Sequence, residues 1–182
     1  MRVYFSGSHG SGKTTLARYV SQQYNLPMLP EVARAVLAEK ELQLDALRVN
    51  LDIVDDYQTE VFHRQIKEEQ KFEAFVSDRS ILDCLGYSAQ HSRVFHSLMK
   101  DSALEPYIEK LRAKDTYIFF VRPSKVTMKE DGVRESLSWD GVIAIDAQIK
   151  LLHQLYNLDY YQIDMSSMQE RVQFLTSVLK NR

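Results

Sequence analysis

The sequence predicts an α/β fold, a three-layer sandwich around a mainly parallel sheet of five strands with one long polar excursion. Short β-rich runs alternate with helix-spaced runs along the whole chain, the pattern of parallel strands joined by crossover helices. The run Thr116-Tyr117-Ile118-Phe119-Phe120-Val121 is β-branched and aromatic without alternation, as expected of a strand buried on both faces. At 182 residues, 45% hydrophobic and 26% charged, the chain can bury a sizeable core as a single domain over 1–182.

Val3-Tyr4-Phe5 is the first strand, bounded by glycine. A helix follows over 13–24, with Leu16, Tyr19 and Val20 on one face; Asn25 suits the left-handed residue after it and Pro27 stops its continuation. Met28-Leu29 is a short second strand, and 31–39 a helix. Over 45–73 the apolar residues Leu47, Leu51, Val54, Val61, Phe62 and Ile66 recur at threes and fours, giving one long helix or two joined near Asp55. Ala74-Phe75-Val76 is the third strand, running into Ser77-Asp78, with helices after it over 80–90 and 104–113. The fourth strand is 116–121; a helix over 142–156, a strand over 160–163 and a helix over 168–179 complete the alternation. Tyr-Asn-Leu occurs at 24–26 and at 156–158, each time between a helix and a strand, and reads as repeated capping chemistry. The stretch 122–139 has little periodicity and carries Arg122, Lys125, Lys129 and Arg134, so 123–137 is expected to form a lid.

A net charge of −2 argues against a large electrostatic footprint for duplex nucleic acid. Cys84 is the only cysteine, which excludes a disulfide within the chain and fits a reducing compartment. No apolar run approaches membrane-spanning length, so a cytoplasmic protein without membrane contact is expected.

Gly7-Ser8-His9-Gly10-Ser11-Gly12-Lys13-Thr14 fits G-x-x-x-x-G-K-[ST] without a mismatch and lies between a predicted strand and helix. Its glycines let backbone N–H groups point around phosphate oxygens, and the helix adds its positive end. Lys13 is the charge for the β- and γ-phosphates, and the Thr14 hydroxyl a ligand for Mg2+. The segment is therefore a P-loop for ATP, with GTP left open. His9 either faces a phosphate or is a solvated loop residue.

Asp78 ends the third strand, placed to serve as the acid near magnesium. Arg79 follows where hydrolases of the mechanical type carry a water-activating glutamate, and a guanidinium cannot be a general base. It can stabilise charge on a transferring phosphoryl group. No [NT]-K-x-D guanine-reading segment occurs, which disfavours a GTPase switch. Phosphoryl transfer to an acceptor other than water is the favoured chemistry.

Residues 7–15, Asp78-Arg79-Ser80 with Asp83, and Glu130-Asp131-Gly132-Val133-Arg134 together resemble the AAA_28-type P-loop kinases, a group that includes the ribosylnicotinamide kinase domain of NadR and many phage ATPase/kinase proteins. Pro30-Glu31-Val32-Ala33-Arg34 and the stretch 58–69 extend the resemblance over nearly the whole chain. It implies a nucleotide site built from Gly7, Ser8, His9, Gly10, Ser11, Gly12, Lys13, Thr14 and Thr15, and gives Arg134 a role over the phosphates. A looser likeness to deoxynucleoside and thymidylate kinases implies that Glu31 is the base for the acceptor hydroxyl, Asp78 the magnesium-side carboxylate and Arg79 a phosphate clamp. Two carboxylates at the C-terminal ends of neighbouring parallel strands do converge on the ligand crevice; a first-turn glutamate favouring the helix dipole is the alternative for Glu31.

On the long helix Tyr57 offers a stacking surface, and Gln58, Arg64 and Gln65 polar groups for the acceptor, or else they belong to an ordinary amphipathic helix. Arg34 belongs to the same candidate acceptor set. Asp83 stands one turn from Arg79, as its support or as a helix-surface acid. The expected activity is a magnesium-assisted kinase acting on a nucleoside, nucleotide or related small molecule. An NTP-binding regulatory module and a kinase for a polynucleotide hydroxyl are the alternatives, and a homodimer is left open.

Overall fold

The computed structural model describes residues 1–40, 50–124 and 138–180. Its elements are β1 (Arg2–Ser6), α1 (Lys13–Tyr24), β2 (Met28–Leu29), α2 (Val32–Glu39), α3 (Leu51–Glu69), β3 (Phe75–Asp78), α4 (Ile81–His91), α5 (Phe95–Leu98), α6 (Leu104–Leu111), β4 (Thr116–Val121), α7 (Trp139–Leu155), β5 (Tyr161–Ile163) and α8 (Met168–Lys180). The five strands form one sheet in the order β2-β3-β1-β4-β5, every neighbouring pair parallel. The central strand β1 carries the P-loop at its C-terminal end, flanked by the ends of β3 and β4. Ligands of open parallel sheets gather at such a point.

Alternation along the strands sorts the core into two layers. Tyr4 and Ile118 point to one face, packing with Phe62, Phe75, Ile81, Leu85 and Ile108 from the strands and helices of that side. Val3, Phe5 and Phe119 point to the other, against Leu16 and Val20 of α1 and Leu175 of α8. Each such fully buried side chain contributes about 1.5–3 kcal/mol relative to exposure, so strands without polar alternation are held between two helical layers. On the first face α4 and α7 pack unusually closely: a Cβ on Gly86 would lie 2.5 Å from the Ile149 side chain.

Both Tyr-Asn-Leu segments do what their repetition suggests. Asn25 (φ 51°) and Asn157 (φ 49°) adopt the left-handed conformation between a helix and the chain leading to a strand. The long helix runs unbroken past Asp55, capped by the Asn50 side chain, which accepts from the Asp52 and Ile53 amides at 3.0 and 3.3 Å. The expected start of that helix at 45–49 lies outside the described residues. The helix expected over 142–156 begins earlier, at Trp139, because the Ser138 hydroxyl accepts from the Gly141 amide at 3.2 Å and caps it. The short helix α5 was not legible in the periodicity, having one turn only. Most of the expected lid, including Lys125, Lys129 and Arg134, also lies outside the described residues.

Candidate active site

The P-loop is shaped by left-handed glycines at Gly7 (φ 132°), Gly10 (φ 70°) and Gly12 (φ 93°). At Gly7 a side chain is excluded outright, since a Cβ would stand 2.4 Å from the Val121 carbonyl oxygen. The Gly7 amide donates to Asp83 Oδ1 at 2.8 Å, while Asp83 Oδ2 accepts from the Ser80 amide at 2.9 Å. Asp83 is fully buried. It is neither a surface acid nor oriented to an acceptor; it caps α4 and anchors the first residue of the P-loop, with Arg79 Nη1 3.9 Å away.

Lys13 lies folded onto the loop, donating to the Ser8 carbonyl and to Ser11 Oγ. Burial lowers its pKa to about 8, Arg79 pushes the same way, and Asp78, Asp83 and Glu31 partly oppose this. The Ser8 hydroxyl is buried with no hydrogen-bond partner among the described residues. Three left-handed glycines, an inward cation and an unsatisfied hydroxyl fit an anion with several oxygen acceptors. Beside them the Thr14 hydroxyl donates to Asp78 Oδ2 at 2.5 Å. A hydroxyl and a carboxylate this close are a donor set suited to a hard divalent cation.

Arg79 is the centre of the side where acceptor residues are expected. It follows β3 with φ 99°, a conformation that costs a non-glycine residue roughly 1–3 kcal/mol and persists only where the surroundings enforce it. Here they do. Its amide donates to the Phe5 carbonyl at 3.0 Å, and its carbonyl accepts from Ser77 Oγ at 2.7 Å. Gln65 Nε2 in turn donates to Ser77 Oγ at 3.0 Å and to Glu69 Oε1 at 2.9 Å. Glu69 is wholly buried between the Tyr4 and Tyr107 hydroxyls, both of which donate to it. Gln65, expected among the acceptor contacts, is therefore engaged in fixing the peptide of Arg79.

The Arg79 guanidinium donates to Glu31 Oε1 at 2.7 Å and lies 5.0 Å over the Tyr87 ring. Tyr87 reaches the P-loop as well, its hydroxyl accepting from the His9 amide at 3.0 Å and lying 3.2 Å from His9 Nδ1. Glu31 stands at the N-cap position of α2 without capping it. Its carboxylate binds Arg79 and the Arg34 Nε, the latter at 2.8 Å. Burial acts to raise the Glu31 pKa, but Arg79, Arg34 and Lys13 outweigh it and hold the carboxyl down at about 2.

Of the other expected acceptor residues, Tyr57 is close by. It is buried, its hydroxyl donating to the Ala33 carbonyl at 3.1 Å, and charge on Glu31 and Arg79 acts on it. Gln58 is buried and accepts from Ser88 Oγ at 3.3 Å. Arg64 turns away to the outer surface, where it pairs with Glu39 at 2.7 Å and Glu60 at 3.2 Å, because both acids lie on its side of α2 and α3. Thr15 is exposed at the first turn of α1. The sequence reading missed Tyr87, although its spacing from Ser80 and Asp83 puts all three near one face of α4. It also missed Asp146, buried on α7 and 2.9 Å from Arg122 Nε, and Arg171 on α8, for which no local signal exists.

Among solved structures, the fold is shared with NadR in complex with NR, at a TM-score of 0.78 and 16% identity, covering 99% of this chain and 50% of that one. Deoxyadenosine kinase from M. mycoides with dCMP and dCDP matches at a TM-score of 0.69 and 13% identity over 100% of both chains. Shikimate kinase from Acinetobacter baumannii with shikimate matches at 0.58 and 14%, over 100% of this chain and 94% of that one. No curated protein matches by sequence. The family model for the AAA domain AAA_28 matches residues 2–171, the span that holds every strand of the sheet and the whole P-loop. The chain belongs to the AAA_28 family of P-loop proteins.

Proposed function

We propose that the protein is an ATP-dependent phosphotransferase acting on a nucleoside, nucleotide or related small molecule. The observation that carries this is the Glu31–Arg79 pair, an acid and a guanidinium held together at the ends of neighbouring strands, facing a P-loop lysine. The position after Asp78, where hydrolases of the mechanical type carry a water-activating glutamate, holds a permanent cation.

In this reading Lys13 turns from the Ser8 carbonyl to the phosphates, and the amides of residues 7–14 hold their oxygens. Thr14 and Asp78 would hold Mg2+, which would neutralise charge on the phosphates when bound. Arg79 exchanges Glu31 for the transferring phosphoryl group. Losing that partner raises the Glu31 pKa, so the carboxylate becomes a usable base only when the phosphate is in place. Glu31 then takes the proton of the acceptor hydroxyl as that oxygen bonds to the γ-phosphorus and the bond to ADP breaks. Arg34, Tyr57 and Gln58 border the same side and are the residues we assign to acceptor recognition.

The nucleoside class is supported by the deoxyadenosine kinase and NadR folds, whose ligands are nucleotides and NR. The shikimate kinase fold puts shikimate among the acceptors to be tried. The test is transfer of label from [γ-32P]ATP and Mg2+ to a panel of nucleosides, deoxynucleoside monophosphates, ribosylnicotinamide, shikimate and a hydroxylated oligonucleotide. Label in a nucleoside-like compound supports the proposal. Label in the oligonucleotide alone moves the activity to polynucleotides, and tight ATP binding with no transfer favours a regulatory module.

A further inference from the structure

Arg171 is completely buried, which is rare for arginine, and among the described residues none of its hydrogen bonds goes to a carboxylate. Its Nε donates to the Met165 carbonyl at 2.6 Å, and its Nη1 donates to the Ser11 carbonyl of the P-loop. Its Nη2 is buried with no hydrogen-bond partner among the described residues. Removing a guanidinium from water is costly, and two carbonyls do not replace a carboxylate. The Ser11 bond links residues 160 positions apart in the chain.

The P-loop is shaped to receive this contact. Gly12 has no side chain, and a Cβ there would meet Met168 Cε at 3.2 Å and Arg171 Nη1 at 3.4 Å. The first turns of α8 therefore seat directly against the loop backbone, and one guanidinium joins that backbone to residues 164–167 after β5. Lys13, Asp78, Arg79 and Glu31 mark the terminal-phosphate end of the cradle on the β3 and β2 side. A triphosphate bound with its γ-end there would extend its nucleoside toward the opposite side of the sheet, that of β4, β5 and residues 164–167.

We propose that Arg171 is a positioning residue that couples the nucleoside end of the nucleotide site to the phosphate cradle, acting through the Ser11 and Met165 carbonyls that it joins. This rests on the nucleotide-binding part of the reading above and not on transfer. The coupling makes ATP bind better than its phosphates alone, because the base-side loop and the P-loop are held as one unit. Arg171→Lys keeps the charge but loses the two-pronged geometry, and Arg171→Met keeps only the bulk.

The experiment measures binding of ATP and of inorganic tripolyphosphate by calorimetry in Mg2+, with Tm, kcat and KM for wild type, Arg171→Met and Arg171→Lys. In the Met variant ATP affinity falls about tenfold or more and tripolyphosphate affinity falls less, so the preference for ATP shrinks. KM for ATP rises while kcat stays within about threefold, and the Lys variant recovers part of the loss. If the Met variant does not fold, the Lys variant carries the same comparison. A lower Tm with an unchanged ATP-to-tripolyphosphate ratio overturns the coupling, as does equal weakening of both ligands. Wild-type ATP binding without transfer to any acceptor counts against the kinase reading alone, and wild type that binds no ATP overturns both.

Discussion

Arg79 Nε donates to Glu31 Oε1 at 2.7 Å, and together with Arg34 and Lys13 it holds the Glu31 carboxyl well below the usual carboxylate range. With its pKa held at about 2, Glu31 has little proton affinity until Arg79 finds another anion. Transfer should thus require the phosphoryl group that draws Arg79 away. The prediction is that Glu31→Gln lowers kcat by about 10²–10⁴ with little change in the magnesium dependence, whereas Asp78→Asn shifts the magnesium dependence. Rates across a magnesium titration check it. Similar shifts in both variants would remove Glu31 from the role of base.

Strain at Arg79 gives a second prediction. With φ at 99°, the position suits glycine, and the Ser77–Gln65–Glu69 network holds it there. Arg79→Ala and Arg79→Gly both lose the guanidinium and both lose transfer. The Gly variant should nevertheless be more stable than the Ala variant by about 1 kcal/mol, since only the Ala variant retains a Cβ in the left-handed region. Urea unfolding of the two compares them directly. Equal stability would mean that the backbone relaxes once the side chain is gone.

Much of this site was legible in the sequence. The P-loop declares itself because its chemistry is local: the glycines, Lys13 and Thr14 must be consecutive to wrap one phosphate chain. The five parallel strands were legible for a related reason, since Thr116–Val121 and Phe75–Asp78 lack the alternation of half-exposed strands. The acceptor side was harder. Gln65 and Asp83 fall on the buried faces of their helices, but nothing in their spacing shows that Ser77 and the Gly7 amide use their polar groups. Arg64 and Gln65 are adjacent in sequence and opposite in fate, because a helix turns 100° per residue and an uncertain phase exchanges surface for core. Arg171 had no signal at all. Its partner on the P-loop is Ser11, and only the assembled sheet brings the two ends of the chain together.

Lys13 predicts a pH dependence for nucleotide binding. Burial and Arg79 set its pKa at about 8 in the free protein, and bound phosphates raise it. Below about pH 7 the lysine is protonated in both states, so affinity is at its maximum and flat. Above about pH 8 the free form loses the proton and binding must restore it, so affinity falls by up to tenfold per pH unit. Calorimetry in buffers of different ionisation enthalpy should register proton uptake on binding in that range. Affinity unchanged between about pH 7.5 and 9.5 would contradict the buried placement of Lys13.

Asp146 predicts a stability effect of opposite kind. Burial raises its pKa to about 6 even though Arg122, Lys13 and Lys150 pull it down, with Asp83 adding to the rise. The folded state therefore holds the proton more tightly than the unfolded chain. Its contribution is fully present below the ordinary carboxylate pKa and is lost as pH rises through about 6. Asn imitates the protonated form at every pH. Asp146→Asn should match wild type near pH 4 and exceed it by roughly 2–3 kcal/mol above pH 7 in urea unfolding. Destabilisation at neutral pH would show instead that the Arg122 pair outweighs the cost of burial.

In the proposed reaction this P-loop hands its phosphoryl group to an acceptor and not to water. A rapid-quench single turnover with [γ-32P]ATP, Mg2+ and excess protein measures it most directly, by the partition of label between inorganic phosphate and small-molecule product. With a pool of nucleosides and nucleotides present, the account predicts that most label enters a nucleoside-like product and that turnover without the pool is slower by at least about a hundredfold. Label released as inorganic phosphate at the same rate with and without the pool would contradict it.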